Sequence, residues 1–241
     1  MRILITNDDG IHATQLIPLI QWVQKLGDVV VVAPKFEQSG KSHGIEIHKP
    51  FEVKKTNLLP GVEAYAVDST PADCVRFAVL GLGEHFDLVI SGINRGLNIG
   101  SDIMYSGTVA AVFEAAALGI PAMAVSTEPQ SYEMGISHMD RIWDYMTRNR
   151  LFSVNSIYNI NIPENAGQIR ITRQGGPYYS DDFLPEENDL YHPRGKDVFQ
   201  ESGTMDLDTD ATLRGGYISI MPLTVQRTEM AAYETLRKLN G

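Results

Sequence analysis

The stretch from residue 2 to residue 33, RILITNDDGIHATQLIPLIQWVQKLGDVVVVA, decides the fold. Arg2–Thr6 is a short apolar run that stops at Asn7-Asp8-Asp9-Gly10, residue types that favour turns. Ile17–Leu26 carries apolar residues at helical spacing and closes at Gly27. Asp28–Ala33 is an almost wholly apolar run ended by Pro34. Strand, helix and strand in so short a span predict a βαβ unit, and with it a parallel sheet.

The alternation continues outward. Glu63–Val67 reads as a strand, and Thr70-Pro71-Ala72-Asp73 opens a helix to about Gly81, with Thr70 as N-cap and Pro71 in first position. Phe86–Ile90 is the next strand, Thr108–Leu118 an Ala-rich helix closed by Gly119, and Pro121–Ser126 a strand. Ser137–Arg148 has helical spacing, and Ile157–Pro163 is a strand. Residues 175–215 are polar, acidic and rich in turn formers, a composition unsuited to a parallel sheet. Gly216–Leu223 returns as a strand and Arg227–Leu239 ends as a helix. The expected architecture is an α/β, doubly wound (Rossmann-like) core over 1–165 with a mostly parallel sheet. A C-terminal appendage over 166–241, made of an extended hairpin-like segment, a returning strand and a terminal helix, is expected to serve oligomerisation.

The chain has 241 residues, 43% of them hydrophobic, and a formal net charge of −10. Such an acidic surface lacks the basic face that displaces counterions from nucleic acid, so no extended nucleic acid is expected as partner. Cys74 is the single cysteine, which excludes an internal disulfide and a cysteine-rich zinc site. No apolar stretch approaches the roughly 18 residues a membrane helix needs, and the N-terminus opens on a strand-like run without a leader pattern. A cytoplasmic location away from membranes is the expectation.

In an open parallel sheet, ligands bind beyond the carboxyl ends of the strands. Three segments at that edge carry unusual residues: Asn7 to Gly10, Pro34 to His43, and Ser91 to Thr108. Turn chemistry alone accounts for Asp8 and Asp9 as well as function does. Adjacent carboxylates are otherwise costly, and a hard cation would outweigh their repulsion, with Ser39 and Asn94 as neutral oxygen donors. Gly and Asn alternate from Gly92 to Gly100, so backbone can approach a ligand closely while Asn offers donors and acceptors to a metal or a phosphate. Ser106-Gly107-Thr108 caps a helix in any reading, and its free N–H groups also suit an anion. It is neither a Walker A loop nor a GxGxxG fingerprint, which argues against ATP hydrolysis and dinucleotide binding. His43, near Ser39, is a candidate general acid, although a lone histidine is more often structural. Lys41 and Arg95 read as solvated charges or phosphate contacts, and Asp73 completes the cap begun by Thr70.

In order along the chain, ITNDDG, QSGKSHGIEIH, STPADCV, SGINRGLNIGSDIMYSGTVAAVFEA, NINIP and GGYISIMPL resemble the blocks of the SurE (survival protein E) family. Ser69 and Met221 depart from the pattern, which has Gly and Thr there. The resemblance implies a metal-dependent nucleotidase acting on nucleoside monophosphates. It implies that Asp8, Asp9, Ser39 and Asn94 hold one divalent cation, Mg²⁺ or Mn²⁺, and that Asn98, Ser106, Gly107 and Thr108 surround the phosphate. It also implies a homodimer or homotetramer built through the C-terminal segment. The expected reaction is phosphomonoester hydrolysis by a 5′-nucleotidase, with 3′-nucleotidase and exopolyphosphatase activity left open, and with Asp8 or Asp9 taking the proton of the attacking water. An aspartyl-phosphate route is disfavoured because Gly10 stands where a second aspartate belongs. The alternatives are a non-catalytic metal and nucleotide sensor and, more remotely, a sugar-nucleotide transferase.

Overall fold

A computed structural model describes residues 1–239. The opening stretch forms β1 (Arg2–Thr6), α1 (Leu16–Val23) and β2 (Asp28–Pro34). Then follow β3 (Val53–Thr56), β4 (Glu63–Val67), α2 (Pro71–Arg76) continued by one π turn (Phe77–Gly81), and β5 (Leu88–Arg95). A 3₁₀ segment (Gly100–Tyr105) precedes α3 (Gly107–Ala117), β6 (Ala122–Thr127), α4 (Tyr132–Arg148), α5 (Leu151–Val154) and β7 (Ile157–Ile162). The chain ends with β8 (Ile169–Ile171), β9 (Tyr179–Pro185), β10 (Tyr191–Asp197), α6 (Asp208–Leu213), β11 (Ile218–Pro222) and α7 (Met230–Leu236).

The main sheet has nine strands in the order β3-β4-β2-β1-β5-β6-β7-β11-β8. From β4 through β7 the pairings are all parallel, as the apolar runs predict. Alternation along each strand divides the core. Ile3 and Ile5 join Leu16, Leu19 and Ile142 under α1 and α4, whereas Leu4 and Val32 join Cys74, Val109 and Val112 under α2 and α3. Each such fully buried aliphatic side chain contributes about 1.5–3 kcal/mol. The sheet is therefore covered on both faces, in the α/β arrangement expected.

Several elements differ from the sequence reading. The strand expected over Phe86–Ile90 starts at Leu88 and runs on to Arg95, with a register shift between Ser91 and Asn94. Gly92 makes this kink feasible, since a Cβ there would lie 2.3 Å from the Val125 carbonyl oxygen. Helix α4 begins at Tyr132 rather than near Ser137, and Gly135 in its first turn packs closely on Thr127. The short edge strand β3, with exposed Lys54 and Lys55, pairs antiparallel with β4, and a strand so brief and polar leaves no periodic signal. Strand β11 inserts antiparallel beside β7 and parallel to β8, so the returning segment completes the main sheet. Among the described residues only β9 and β10 form a separate two-stranded hairpin. Of the segment 166–241, positions 240 and 241 lie outside the described residues. Among the described residues no helix is long and apolar enough to cross a membrane.

Candidate functional site

From β1 the chain winds through β2 and β4 to one side, and from β5 through β6 and β7 to the other, so the switch point falls between β1 and β5. The residues just beyond these two strands are therefore the ones to inspect. Asn7 folds its own turn: its amide donates to the Gly10 carbonyl at 3.0 Å and its Oδ1 accepts the Gly10 N–H at 3.1 Å. The turn aims the two aspartates at different partners. Asp8 Oδ1 accepts the Thr108 hydroxyl at 2.6 Å. Asp9 Oδ2 accepts the Gln15 side-chain amide and, at 3.2 Å, the Arg95 backbone N–H. The Asp8 carbonyl accepts the Gln38 N–H at 2.8 Å, which draws in the segment after β2.

Burial dominates the electrostatics. Asp8 is only 5% exposed, and desolvation, helped by the Asp9 charge, pushes its carboxyl up to about 6 despite the Thr108 bond. Desolvation, reinforced by Glu37, raises Asp9 as well, against the Arg95 N–H and Gln15. Two destabilised carboxylates side by side are a site a cation would relieve. The remaining donors suit one. Asp9 Oδ1 has no hydrogen bond among the described residues, and Asn94 spends its Nδ2 on the Gly96 carbonyl at 2.7 Å, which leaves its Oδ1 free. Ser39 lies exposed, its hydroxyl donated to Glu37 Oε1 at 2.7 Å rather than to an aspartate. Among the described residues no group of three or more His, Cys, Asp or Glu gathers to hold a metal. Two carboxylates with neutral oxygens form a hard, oxygen-only set, which fits Mg²⁺ or Mn²⁺ better than zinc.

The anion side adjoins this pair. Ser106 caps α3 through its Oγ, which accepts the Val109 N–H at 3.1 Å. Gly107 follows, where a Cβ would come within 2.9 Å of the Asp8 Cβ. Only glycine lets the helix terminus approach the carboxylate so closely. Asn98 is knotted in place: its N–H donates to Asn161 Oδ1 at 2.8 Å, while its carbonyl accepts the Asn159 and Asn161 amides at 2.7 and 2.8 Å. Its side-chain amide donates to Ser126 Oγ at 2.8 Å and reaches Thr108 Oγ1 at 3.5 Å.

Asp8, Asp9, the Asn94 strand end, Asn98 and the Ser106–Thr108 cap thus converge. His43 goes elsewhere: its Nε2 meets Glu114 Oε2 at 2.8 Å, and the Arg76 guanidinium donates to the other oxygen of Glu114 at 3.1 Å. His43 and Lys41 line a cavity of about 800 Å³ that also reaches Ser106. Arg95 contributes its backbone N–H and, from an exposed side chain, a positive charge that favours ionised Asp9. Asp73 donates its backbone N–H to the Thr70 hydroxyl at 3.1 Å, as a cap requires, and its carboxylate accepts the Ser69 hydroxyl and the Glu46 N–H.

Sequence reasoning missed Gln15, Asn159, Asn161 and Tyr132. Burial, followed by the Asp9 charge, pushes the Tyr132 phenol up to about 12. The two asparagines carried a usable signal, since polar residues inside the buried run Ile157–Ile162 need partners. Gln15 and Tyr132 carried none.

The profile of the family described as Survival protein SurE matches residues 3–181. A protein named 5′-nucleotidase SurE from Caldanaerobacter subterraneus subsp. tengcongensis is 37% identical, over 99% of this chain and 96% of its own length. Its namesake from Syntrophotalea carbinolica is 39% identical, over 99% of this chain and 97% of its own length. The crystal structure of the SurE protein from Aquifex aeolicus superposes with a TM-score of 0.76 at 29% identity, covering 100% of both chains.

Proposed function

The chain belongs to the SurE family, and from that premise we propose that it hydrolyses nucleoside 5′-monophosphates to nucleoside and phosphate, with one divalent cation, Mg²⁺ or Mn²⁺, held by Asp8, Asp9, Ser39 and Asn94. The observation that carries the reading is the 2.6 Å bond from Thr108 to Asp8, because it joins the acidic pair to a helix N-terminus. That bond sets a buried carboxylate pair, which a cation would neutralise, directly against donors that suit a phosphate. When bound, the cation supplies charge to polarise a phosphoryl oxygen and to acidify water.

The chain's own residues do the rest. The backbone N–H groups of Gly107 and Thr108 hold the equatorial phosphoryl oxygens, the Ser106 N–H being spent on the Ile103 carbonyl at 3.2 Å, and the α3 terminus stabilises the charge that develops there. Gly107 keeps that cradle against Asp8. Asn98, fixed by Asn159 and Asn161, supports Thr108 from the side. Asp9, with its Oδ2 anchored by Gln15 and Arg95, and Asp8 beside it are the bases for the proton of the attacking water. The segment 166–241 is assigned to association between copies, on the support of Phe183, Leu190 and Tyr191 standing exposed on or beside the hairpin, and Met230, Tyr233 and Leu236 on α7.

The test is phosphate release from nucleoside 5′- and 3′-monophosphates and short polyphosphate, assayed as purified, with EDTA, and with Mg²⁺ or Mn²⁺ restored. Release from the 5′-esters, abolished by chelation and recovered with metal, is expected. Tight nucleotide binding without release under any metal would replace the enzyme with a sensor.

A further inference from the structure

Hydrolysis at the α3 terminus needs a place for the group that departs. In-line displacement puts that group opposite the attacking water, so its subsite must adjoin the phosphate cradle. The cavity of about 800 Å³ reaching Ser106 does so, and its size is that of a small-molecule site. Phe113, Ile103 and Tyr105 supply apolar wall, and Lys41 and His43 the polar groups. The 2.6 Å bond from the Ser42 hydroxyl to the Met104 carbonyl and the 3.0 Å bond from its N–H to Tyr105 tie the two walls together.

His43 is held within this wall. Glu114, which takes its Nε2 at 2.8 Å, is only 7% exposed and lies on α3, the helix whose first turn forms the cradle. The His43 bond, working against burial and joined by Arg76, keeps the Glu114 carboxyl below the usual carboxylate range, so an ionised oxygen faces the ring. The Phe113 ring lies beside the imidazole, 6.3 Å between centroids and tilted by 30°. A carboxylate on one ring nitrogen fixes the ring's orientation and leaves the other nitrogen for a substrate. Among the described residues Nδ1 has no hydrogen-bond partner.

We infer that this cavity is the leaving-group subsite, and that His43, positioned by Glu114, is the acid that protonates the departing nucleoside oxygen. The inference rests on the nucleotidase reading above. As the water oxygen bonds to phosphorus, the ester P–O bond breaks and its electron pair stays on the nucleoside oxygen. That oxygen takes the Nδ1 proton of the His43 imidazolium, leaving the neutral ring with its Nε2–H on Glu114; solvent returns a proton to Nδ1, and the proton lost by water passes to the aspartate pair. His43 is the catalytic residue of this step; Glu114 acts through it and is a positioning residue.

The experiment compares metal-loaded full-length parent, His43→Gln and Glu114→Gln on a nucleoside 5′-monophosphate and on p-nitrophenyl phosphate. The nitrophenolate leaves readily without a proton, whereas an alkoxide does not. Loss of the acid should cut nucleotide kcat by about 100-fold, and the nucleotide-to-aryl ratio of kcat by at least about tenfold, in His43→Gln, with a smaller fall of the same ratio in Glu114→Gln. Equal slowing on both substrates, or no change, overturns the inference while leaving the nucleotidase standing. A parent that hydrolyses neither substrate fells the underlying reading, and this one with it. His43→Asn, with thermal unfolding matched to the parent, guards against a folding defect and must shift the ratio in the same way.

Discussion

Asp8 shows what a single buried carboxylate costs the fold. Its carboxyl stands at about 6 in the fold against an ordinary value of 3.8, chiefly through burial. A carboxyl raised on folding contributes stability that is fully present below its unfolded value and lost as pH climbs through the folded value. Above about pH 6 the metal-free protein therefore bears a penalty of up to about 3 kcal/mol at this site. Asp8→Asn keeps an acceptor for Thr108 and removes the charge. The metal-free variant should melt above the metal-free parent at pH 7.5, the gap closing as pH falls towards 4, while phosphate release is lost. A variant that melts lower throughout would show that the charge is not what burdens the site. The sequence announced this pair, since two adjacent aspartates ahead of a glycine call for an explanation. Gln15 was invisible, because a glutamine before a helix has no pattern to betray that its amide will reach back to Asp9.

At the level of elements, the sequence told most where one element packs uniformly and least where one changes character along its length. Uniform apolar runs made β1, β2 and β6 legible. Strand β5 was half legible, because it continues through Gly92 into residues that read as loop. The segment after it is then organised not by its own glycines but by β7, whose Asn159 and Asn161 clamp Asn98. Such a clamp is tertiary, and the alternation of Gly and Asn over residues 92–100 could only hint at it. Asn161→Ala removes both a donor and an acceptor from the Asn98 backbone and should cost about 2–4 kcal/mol in urea unfolding. It should also lower kcat through the displaced Asn98. A loss of stability without loss of kcat would confine the clamp to folding.

Across the whole molecule, the C-terminal third is pinned to the site rather than appended beside it. Gly100, at φ 61°, passes so close to residue 176 that a Cβ would lie 1.9 Å from the Gly176 carbonyl oxygen. Asp208, fully buried, accepts N–H bonds from Gly100 at 2.9 Å, Gly175 at 2.7 Å and Thr209 at 2.9 Å. Asp102 in turn accepts the Tyr178 and Tyr179 N–H groups at the root of the hairpin. The composition of 175–215 suggested a segment apart from the sheet, and the hairpin is one. The short strand β8 and helix α6 escaped because a handful of residues shows no period. Asp208→Ala orphans three backbone donors and should destabilise by about 3 kcal/mol or more. Because the Gly100–Tyr105 segment walls the cavity, nucleotide KM should rise in the same variant. An unchanged KM would separate this pin from substrate binding.

The proposed site lies beyond the carboxyl ends of the strands, away from the opposite rim of the sheet. That makes the molecule a natural candidate for immobilisation. At the turn before β5, Gly83 holds φ +70°, a conformation that keeps it glycine, and the neighbouring His85 faces solvent. A tether anchored at that turn would present the reactive rim outward to the solution, and a surface so loaded would keep its mouths unobstructed.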